Sequence, residues 1–283
     1  MKRTEIKQYL INNKVGIFTN SFNPELLNMS KIFYHDIYNP IVVPGIINNG
    51  TTRFYGYECF DYVLSTSWFT DRFDYLIYID EDCFVTNIES MYNLLKEFID
   101  NNYGFAGIPD GGVCCHRNHN PISINTFFTI FNIKEIKKIY NGKEVHETVF
   151  DDSLKIYKPD FLITDKSDNF KKELEKKIPY CEIVRDNPKD VCSRHQTPYS
   201  ISWDNFEPYY RIFFFLLKNG LKPMYIKGQD SLIDDLGITT ELHYNNIPFC
   251  YHTWFARNYI NDIEQNTRIK KVYQECLKLK EHI

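Results

Sequence analysis

The chain lacks the marks of several large protein classes. None of its eight cysteines (59, 83, 114, 115, 181, 192, 250, 276) forms a C-x-x-C pair. A zinc ribbon and a dithiol redox centre therefore have no basis in the spacing, and free thiols are expected. No apolar run approaches the roughly 20 residues that span a bilayer; the longest, IFFFLL, covers only 212–217. The opening MKRTEIKQYLINNKVGIF carries early positive charge with no apolar stretch behind it, unlike a secretory signal, so a cytoplasmic protein is expected. Positive charge is not in excess either. Lys and Arg total 33 against 37 Asp and Glu, a net charge of −4, which removes a general electrostatic grip on nucleic acid. No internal repeat or low-complexity tract interrupts the chain.

The 283 residues are 43% hydrophobic and 25% charged, enough for one domain over 1–283 with a substantial core. Aromatic residues make 16%. Rings in such number suit either a packed core or the walls of a sugar or nucleotide pocket.

Periodicity and turn residues divide the chain. Strands are expected at 15–19, 41–43, 75–79, 104–108, 126–131, 223–226 and 247–251. Helices are expected at 25–37, 55–69, 88–99, 134–140, 170–177, 208–219 and 262–281. Strands alternating with helices predict an α/β sandwich. The Pro-punctuated stretch 141–200 reads as a loop-rich insertion or lid for an acceptor, and 260–283 as a terminal helix. That helix carries Arg268, Lys270, Lys271, Lys278 and Lys280. They read as a solvated face, or as a peripheral contact with anionic lipid should an acceptor be lipid-linked.

The sharpest signal is YLIYI at 75–79 followed by Asp80-Glu81-Asp82. A strand apolar on both faces is the buried centre of an α/β sheet, and ligands gather at the carboxyl ends of such strands. Two carboxylates two residues apart in extended chain point to one side. Mg²⁺ or Mn²⁺ bound to a diphosphate uses one or two carboxylates. A solvated acidic turn is the plain alternative.

Other groups have two readings each. Asp204 and Glu207 precede the apolar helix at 208–219; they cap it, or supply a desolvated carboxylate for base or nucleophile chemistry. Asp110 and Gly111 in PDGG form a turn, or let the backbone and a carboxylate approach a sugar hydroxyl. His252 is a structural histidine or a neutral imidazole ligand. Cys114, Cys115, His116 and His119 make a poor zinc chelate, and Cys181, Cys192 and His195 a weaker one.

FDYLIYIDEDCFV resembles the Asp-x-Asp region of nucleotide-sugar glycosyltransferases of the GT-A type. The resemblance implies a Rossmann-like α/β/α sandwich with a mixed central sheet. It implies that Asp80 and Asp82, with Glu81 beside them, hold Mn²⁺ or Mg²⁺ against the diphosphate of a nucleotide-sugar donor, expected to be UDP-linked. The first strand and its turn would hold the base, through Phe18, Thr19, Asn20 and Phe22. INTFFTIFNIKEIKKI is similar to the acceptor-side strand and helix, which places Asn125 with the substrate, although Phe127 and Phe128 stand where many members have a small residue. HYNNIPFCYHTWFARNY looks like the C-terminal loop of such enzymes, making His252 the third metal ligand and Trp254 and Arg257 pocket residues. An upstream arginine is often present, which favours Arg53 over Arg72. SWDNFEPYY is similar in layout to a Trp-Asp-Glu stretch of some retaining members and favours Glu207 over Asp204 as the catalytic group. The expected activity is sugar transfer to a glycan or lipid-linked acceptor. A sugar nucleotidyltransferase is the rival enzyme, disfavoured because VGIFTNSFNPEL lacks a Gly-rich basic loop. A non-catalytic carbohydrate-binding protein is the rival outside catalysis.

Overall fold

The computed structural model describes residues 2–48, 51–54, 56–114, 117–162, 203–234 and 238–281. Helix α1 (Arg3–Asn12) leads into β1 (Val15–Ser21), α2 (Pro24–Lys31) and β2 (Ile41–Pro44). A small hairpin, β3 (Ile46–Asn48) and β4 (Thr51–Arg53), precedes α3 (Tyr57–Ser65) and α4 (Ser67–Thr70). Next come β5 (Tyr75–Ile79), β6 (Cys83–Val85), α5 (Ile88–Asp100) and β7 (Phe105–Pro109). A second hairpin, β8 (Gly111–Cys114) and β9 (Arg117–Asn118), leads to β10 (Ile124–Asn132), α6 (Ile133–Ile136) and α7 (Gly142–Glu147). The described chain closes with α8 (Tyr210–Lys218), β11 (Pro223–Tyr225), β12 (Lys227–Asp230), β13 (Thr240–Tyr244), β14 (Ile247–His252) and α9 (Ile263–Glu281).

Six strands form the central sheet in the order β11-β7-β10-β5-β1-β2. β1 runs parallel to β2 and β5, β11 runs parallel to β7, and β10 is antiparallel to both β5 and β7. The carboxyl ends of β1, β5 and β7 therefore share one edge, which carries Asn20 to Asn23, the acidic triplet and Asp110. The fold is mixed α/β of Rossmann-like form. A second, antiparallel sheet has the order β12-β13-β14-β6. Its strand β6 begins directly after the triplet, so residues 80–82 form the hinge between the two sheets.

Period-two alternation splits the buried strand residues between two faces. Ile17, Ile77, Ile79, Ala106, Phe128 and Ile130 pack with α1, α2, α5 and α9. Phe18, Leu76, Tyr78, Phe105 and Phe131 pack with α3 and α8. Helix α8 is apolar nearly all round because seven of its nine residues are buried. It ends in a Schellman turn: Leu221 N–H reaches Leu216 O at 3.0 Å, Gly220 N–H reaches Leu217 O at 3.0 Å, and Gly220 takes φ +78°. Phe131 ties this face together, stacking on Phe213 (6.2 Å between centroids) and meeting Phe60 edge-on (5.5 Å).

Several expected elements are shorter than their patterns. The helix expected over 25–37 stops at Lys31, and the chain continues in turns. The one expected over 55–69 breaks at Thr66, which is extended (φ −86°, ψ 125°) and starts a new turn of helix. The one expected over 134–140 is the single turn α6. Strands β6, β12 and β13 and helix α1 carry too little periodic apolar signal to be anticipated; α1 buries only Ile6 and Leu10. The helix expected at 170–177 and most of the proposed 141–200 insertion lie outside the described residues. Among those described, no helix is long and apolar enough to cross a membrane.

Phe131→Ala removes a fully buried ring shared by the sheet, α3 and α8. It is expected to cost about 3–5 kcal/mol in urea unfolding followed by circular dichroism; a loss under 1 kcal/mol would contradict this account of the core.

Candidate functional site

β5 is buried along its whole length, and its end is pinned to β10 by Asp80 N–H donating to Phe127 O at 2.9 Å. The chain then turns, Cys83 N–H donating to Asp80 O at 3.1 Å, and leaves in β6. β6 pairs with β14 so that His252 stands opposite Cys83. That register brings His252 to the triplet: its Nε2 lies 3.2 Å from Asp82 Oδ1. The Thr253 hydroxyl donates to Asp82 Oδ2 at 3.0 Å, and Thr253 N–H to Asp82 O at 3.2 Å. Asp82 and His252 are buried, and His252 Nδ1 has no hydrogen-bond partner. The imidazole stacks on Phe127 (4.1 Å, 16°) and leans on Trp254 (4.4 Å), whose indole N–H donates to Thr240 Oγ1 at 2.8 Å.

The turn beyond His252 is strained and clamped. Trp254 and Phe255 take φ of +60° and +62°, left-handed values that cost a side-chain-bearing residue of order 1 kcal/mol or more. Arg268 holds this turn, donating to the carbonyls of Thr253 at 2.6 Å and Trp254 at 3.0 Å. Its other amino group pairs with buried Asp234 at 2.8 Å. Arg268 is thus an internal residue, which corrects its reading as part of a solvated helix face.

The triplet divides into separate roles. Glu81 faces the β1 turn: one carboxylate oxygen accepts from the Ser21 hydroxyl (2.8 Å), Phe22 N–H (2.9 Å) and Asn23 N–H (2.8 Å). It ties the β1 turn to the hinge, a structural job in place of the cofactor contact expected of it. Burial pushes its carboxyl up to about 7, against the pull of those donors. Asp80 is half-buried and accepts Glu81 N–H at 2.8 Å. Desolvation, then the Asp82 and Glu81 charges, raises its carboxyl well above the usual range. Desolvation acts on Asp82 as well, but His252, Thr253 and Arg268 outweigh it and hold that carboxyl below the usual range. Among the described residues, ligand-type atoms of Asp82, Cys83 and His252 all lie within 4.8 Å of one another, with Cys83 where the sequence pointed to Asp80.

On β1, Phe18 is 0% exposed and packs against Phe60, Phe69 and Tyr78. It is a core residue, which corrects its assignment to a base pocket. Thr19 and Asn20 are buried, and Thr19 Oγ1 and Asn20 Oδ1 have no partner. Phe22 is half-buried against Gly45, where a Cβ would fall 2.1 Å from its ring. Arg257 is exposed in a short turn (Ala256–Asn258). Arg53 lies on β4, its side chain outside the described residues. Arg72 precedes β5 and stacks on Trp68 at 4.4 Å, at the end of the strand opposite to the triplet.

The acceptor-side candidates form an internal network. Asp110 is 1% exposed and accepts from Asn125 Nδ2, from the Tyr210 hydroxyl and from the Tyr209 hydroxyl at 3.4 Å. Asp110 and Asn125 thus join β7, β10 and α8, which corrects their reading as sugar contacts. Gly111 does permit a close approach, but to the chain itself: a Cβ there would lie 1.8 Å from His119 O. Asp204 does not cap α8, whose first residue is six positions later. Its carboxylate accepts Phe206 N–H at 3.2 Å and meets His119 Nδ1 at 3.2 Å. His119 stacks flat on Phe206 (4.3 Å, 8°), so it belongs to a His–carboxylate pair and not to a cysteine chelate. Glu207 is half-buried, its carbonyl accepting Tyr210 N–H at 3.1 Å. Cys115, His116, Cys181, Cys192 and His195 lie outside the described residues.

Sequence reasoning missed Thr253, Asp234 and the clamp by Arg268. An arginine in a run of lysines carried no sign of burial. The Asp-Asp-Leu-Gly sequence upstream of β13 was the available hint to its partner.

No protein-family model matches the chain, and no curated protein does. Among solved structures it is similar to A197 from STIV, with 14% identity and a TM-score of 0.32 over 45% of this chain and 69% of that one.

Two outcomes follow from this geometry. Arg268→Met strands Asp234 without its cation and is expected to cost about 3–5 kcal/mol by chemical unfolding. The second concerns pH. A carboxyl raised in the fold keeps its proton where the unfolded chain has lost it, so its stabilisation is complete below pH 4.5 and is lost as pH rises toward about 7. The Tm of the metal-free chain should fall across that window, and Glu81→Gln should flatten the fall; an unchanged slope would refute the assignment.

Proposed function

We propose that the chain is a metal-dependent glycosyltransferase of the GT-A type, moving a sugar from a nucleotide diphosphate sugar, UDP-linked, to a glycan or lipid-linked acceptor. The observation that carries the reading is the delivery of His252, from the far end of the sequence, to Asp82 at the carboxyl end of the central strand.

The donor chemistry fits Mn²⁺ or Mg²⁺. Octahedral bonds of about 2.1 Å put neighbouring ligand atoms about 3 Å apart, and Asp82 Oδ1 and His252 Nε2 are separated by 3.2 Å. Burial first, and the neighbouring carboxylates after it, raise the Asp80 and Glu81 carboxyls, and a divalent cation would reverse that. Asp82 and His252 would hold the ion, with Asp80 beside them. When bound, the ion would act as a Lewis acid that neutralises the departing diphosphate.

The remaining roles belong to the chain. Thr19 and Asn20 offer unpartnered polar atoms to the nucleoside. Phe22 supplies an apolar wall at the β1 turn that Glu81 fixes. Trp254 and Phe127 shield the imidazole from water and hold its plane. Arg257, exposed beyond the clamped turn, would cover the diphosphate. On the acceptor side Glu207 is the assigned catalytic carboxylate. Asp204 is committed to His119 and the Phe206 amide, and acts through them.

The test is a thermal-shift series with nucleoside diphosphates, each with and without Mn²⁺. A ligand at a hundred times its Kd stabilises the native state by about 2.7 kcal/mol. A shift that needs both Mn²⁺ and one nucleotide, and that disappears in Asp82→Asn, is the expected result. No shift with any nucleotide would end the transferase reading.

A further inference from the structure

The donor atoms that lie closest together at the hinge do not form a purely hard set. Asp82, Cys83 and His252 offer oxygen, sulfur and nitrogen, each within 4.8 Å of the other two. Cys83 and His252 face each other across the β6–β14 ladder, which puts their side chains on one face of that sheet. Asp82 reaches the same place from the turn, 3.2 Å from the imidazole. All three residues are buried, and His252 Nδ1 is without a partner. The Cys83 thiol donates to Phe127 O at 3.3 Å, an ordinary length for a sulfur donor, and also hydrogen-bonds with the Cys250 thiol, so a cation must displace both contacts.

Mg²⁺ and Mn²⁺ favour oxygen and take little from sulfur. A mixed carboxylate, thiolate and imidazole set suits a borderline cation bound tetrahedrally at about 2.0–2.3 Å, with the fourth position left to water. We propose that Asp82, Cys83 and His252 form a binding site for a thiophilic divalent cation, with zinc as the type and the Cys83 thiolate as one ligand. Binding releases the thiol proton to solvent and forms the sulfur–metal bond; no oxidant or reductant is involved. The site stands independently of the transferase reading. Only its consequence rests on that reading: zinc takes Asp82 and His252 from the manganese position and inhibits nucleotide binding.

Cobalt(II), a spectroscopic substitute for zinc, tests this on the metal-free full chain. The expected result is a saturable near-ultraviolet sulfur-to-cobalt charge-transfer band that one equivalent of zinc abolishes. Cys83→Ser should lose the band, whereas Cys59→Ser, which alters a buried thiol on the other face of the central sheet, should keep it. Far-ultraviolet circular dichroism checks that each variant is folded. His252→Gln, which retains the thiol, should weaken cobalt binding by at least about tenfold, and it decides the matter if Cys83→Ser does not fold. A folded wild type with no band, a band undiminished in folded Cys83→Ser, or unchanged affinity in His252→Gln overturns the proposal. The manganese-dependent nucleotide shift is read in parallel. A cobalt band without that shift removes the transferase reading and leaves this site standing. The shift without the band removes this site alone.

Discussion

The contact on which the candidate site depends is the meeting of Asp82 with His252 and Thr253, residues up to 171 positions apart in sequence. Three bonds join the hinge after β5 to the end of β14. They close the gap between a central sheet that supplies carboxylates and a second sheet that supplies nitrogen and sulfur. Without them Asp82 would be a buried carboxylate with no side-chain hydrogen-bond donor, at the end of the strand that anchors the core. Arg268 completes the arrangement from outside. By holding two carbonyls of a left-handed turn it lets Trp254 lie against the imidazole, and by pairing with Asp234 it avoids an uncompensated buried charge.

The carboxyl edge of the sheet is built of two kinds of polar group. Glu81, Asp110 and Asn125 are satisfied by the chain and serve to fix turns and strand ends. Thr19, Asn20 and His252 each retain a buried polar atom without a partner. Buried polar atoms are rarely left unmatched.

Much of the fold was legible because buried strands announce themselves. YLIYI carries no charge and sits at the centre of the sheet. The apolar run of α8 is buried, and Gly220 marks its end as expected. The acidic triplet and His252 were legible as candidates because they follow such strands. What escaped was decided by partners distant in sequence. Nothing local distinguishes Glu81, which faces the β1 turn, from Asp82, which faces the histidine. Nothing local marks Asp110 as an acceptor for two tyrosines that lie about a hundred residues later. Phe18 was misread for the opposite reason: its place on the first strand was informative, but strand alternation sends its ring into one face of the core as it sends Ile17 into the other.

The position of α9 bears on the order of events at the ribosome. The hinge is synthesised at least 170 positions before His252, Thr253 and Arg268 emerge. Until they do, the nascent sheet carries a cluster of mutually repelling carboxyls at its edge, and long-range closure of this kind is slow. The contact between Asp82 and His252 therefore forms only after residue 252 has been made. The clamp on the turn after β14 follows later still, because Arg268 lies 16 residues beyond His252.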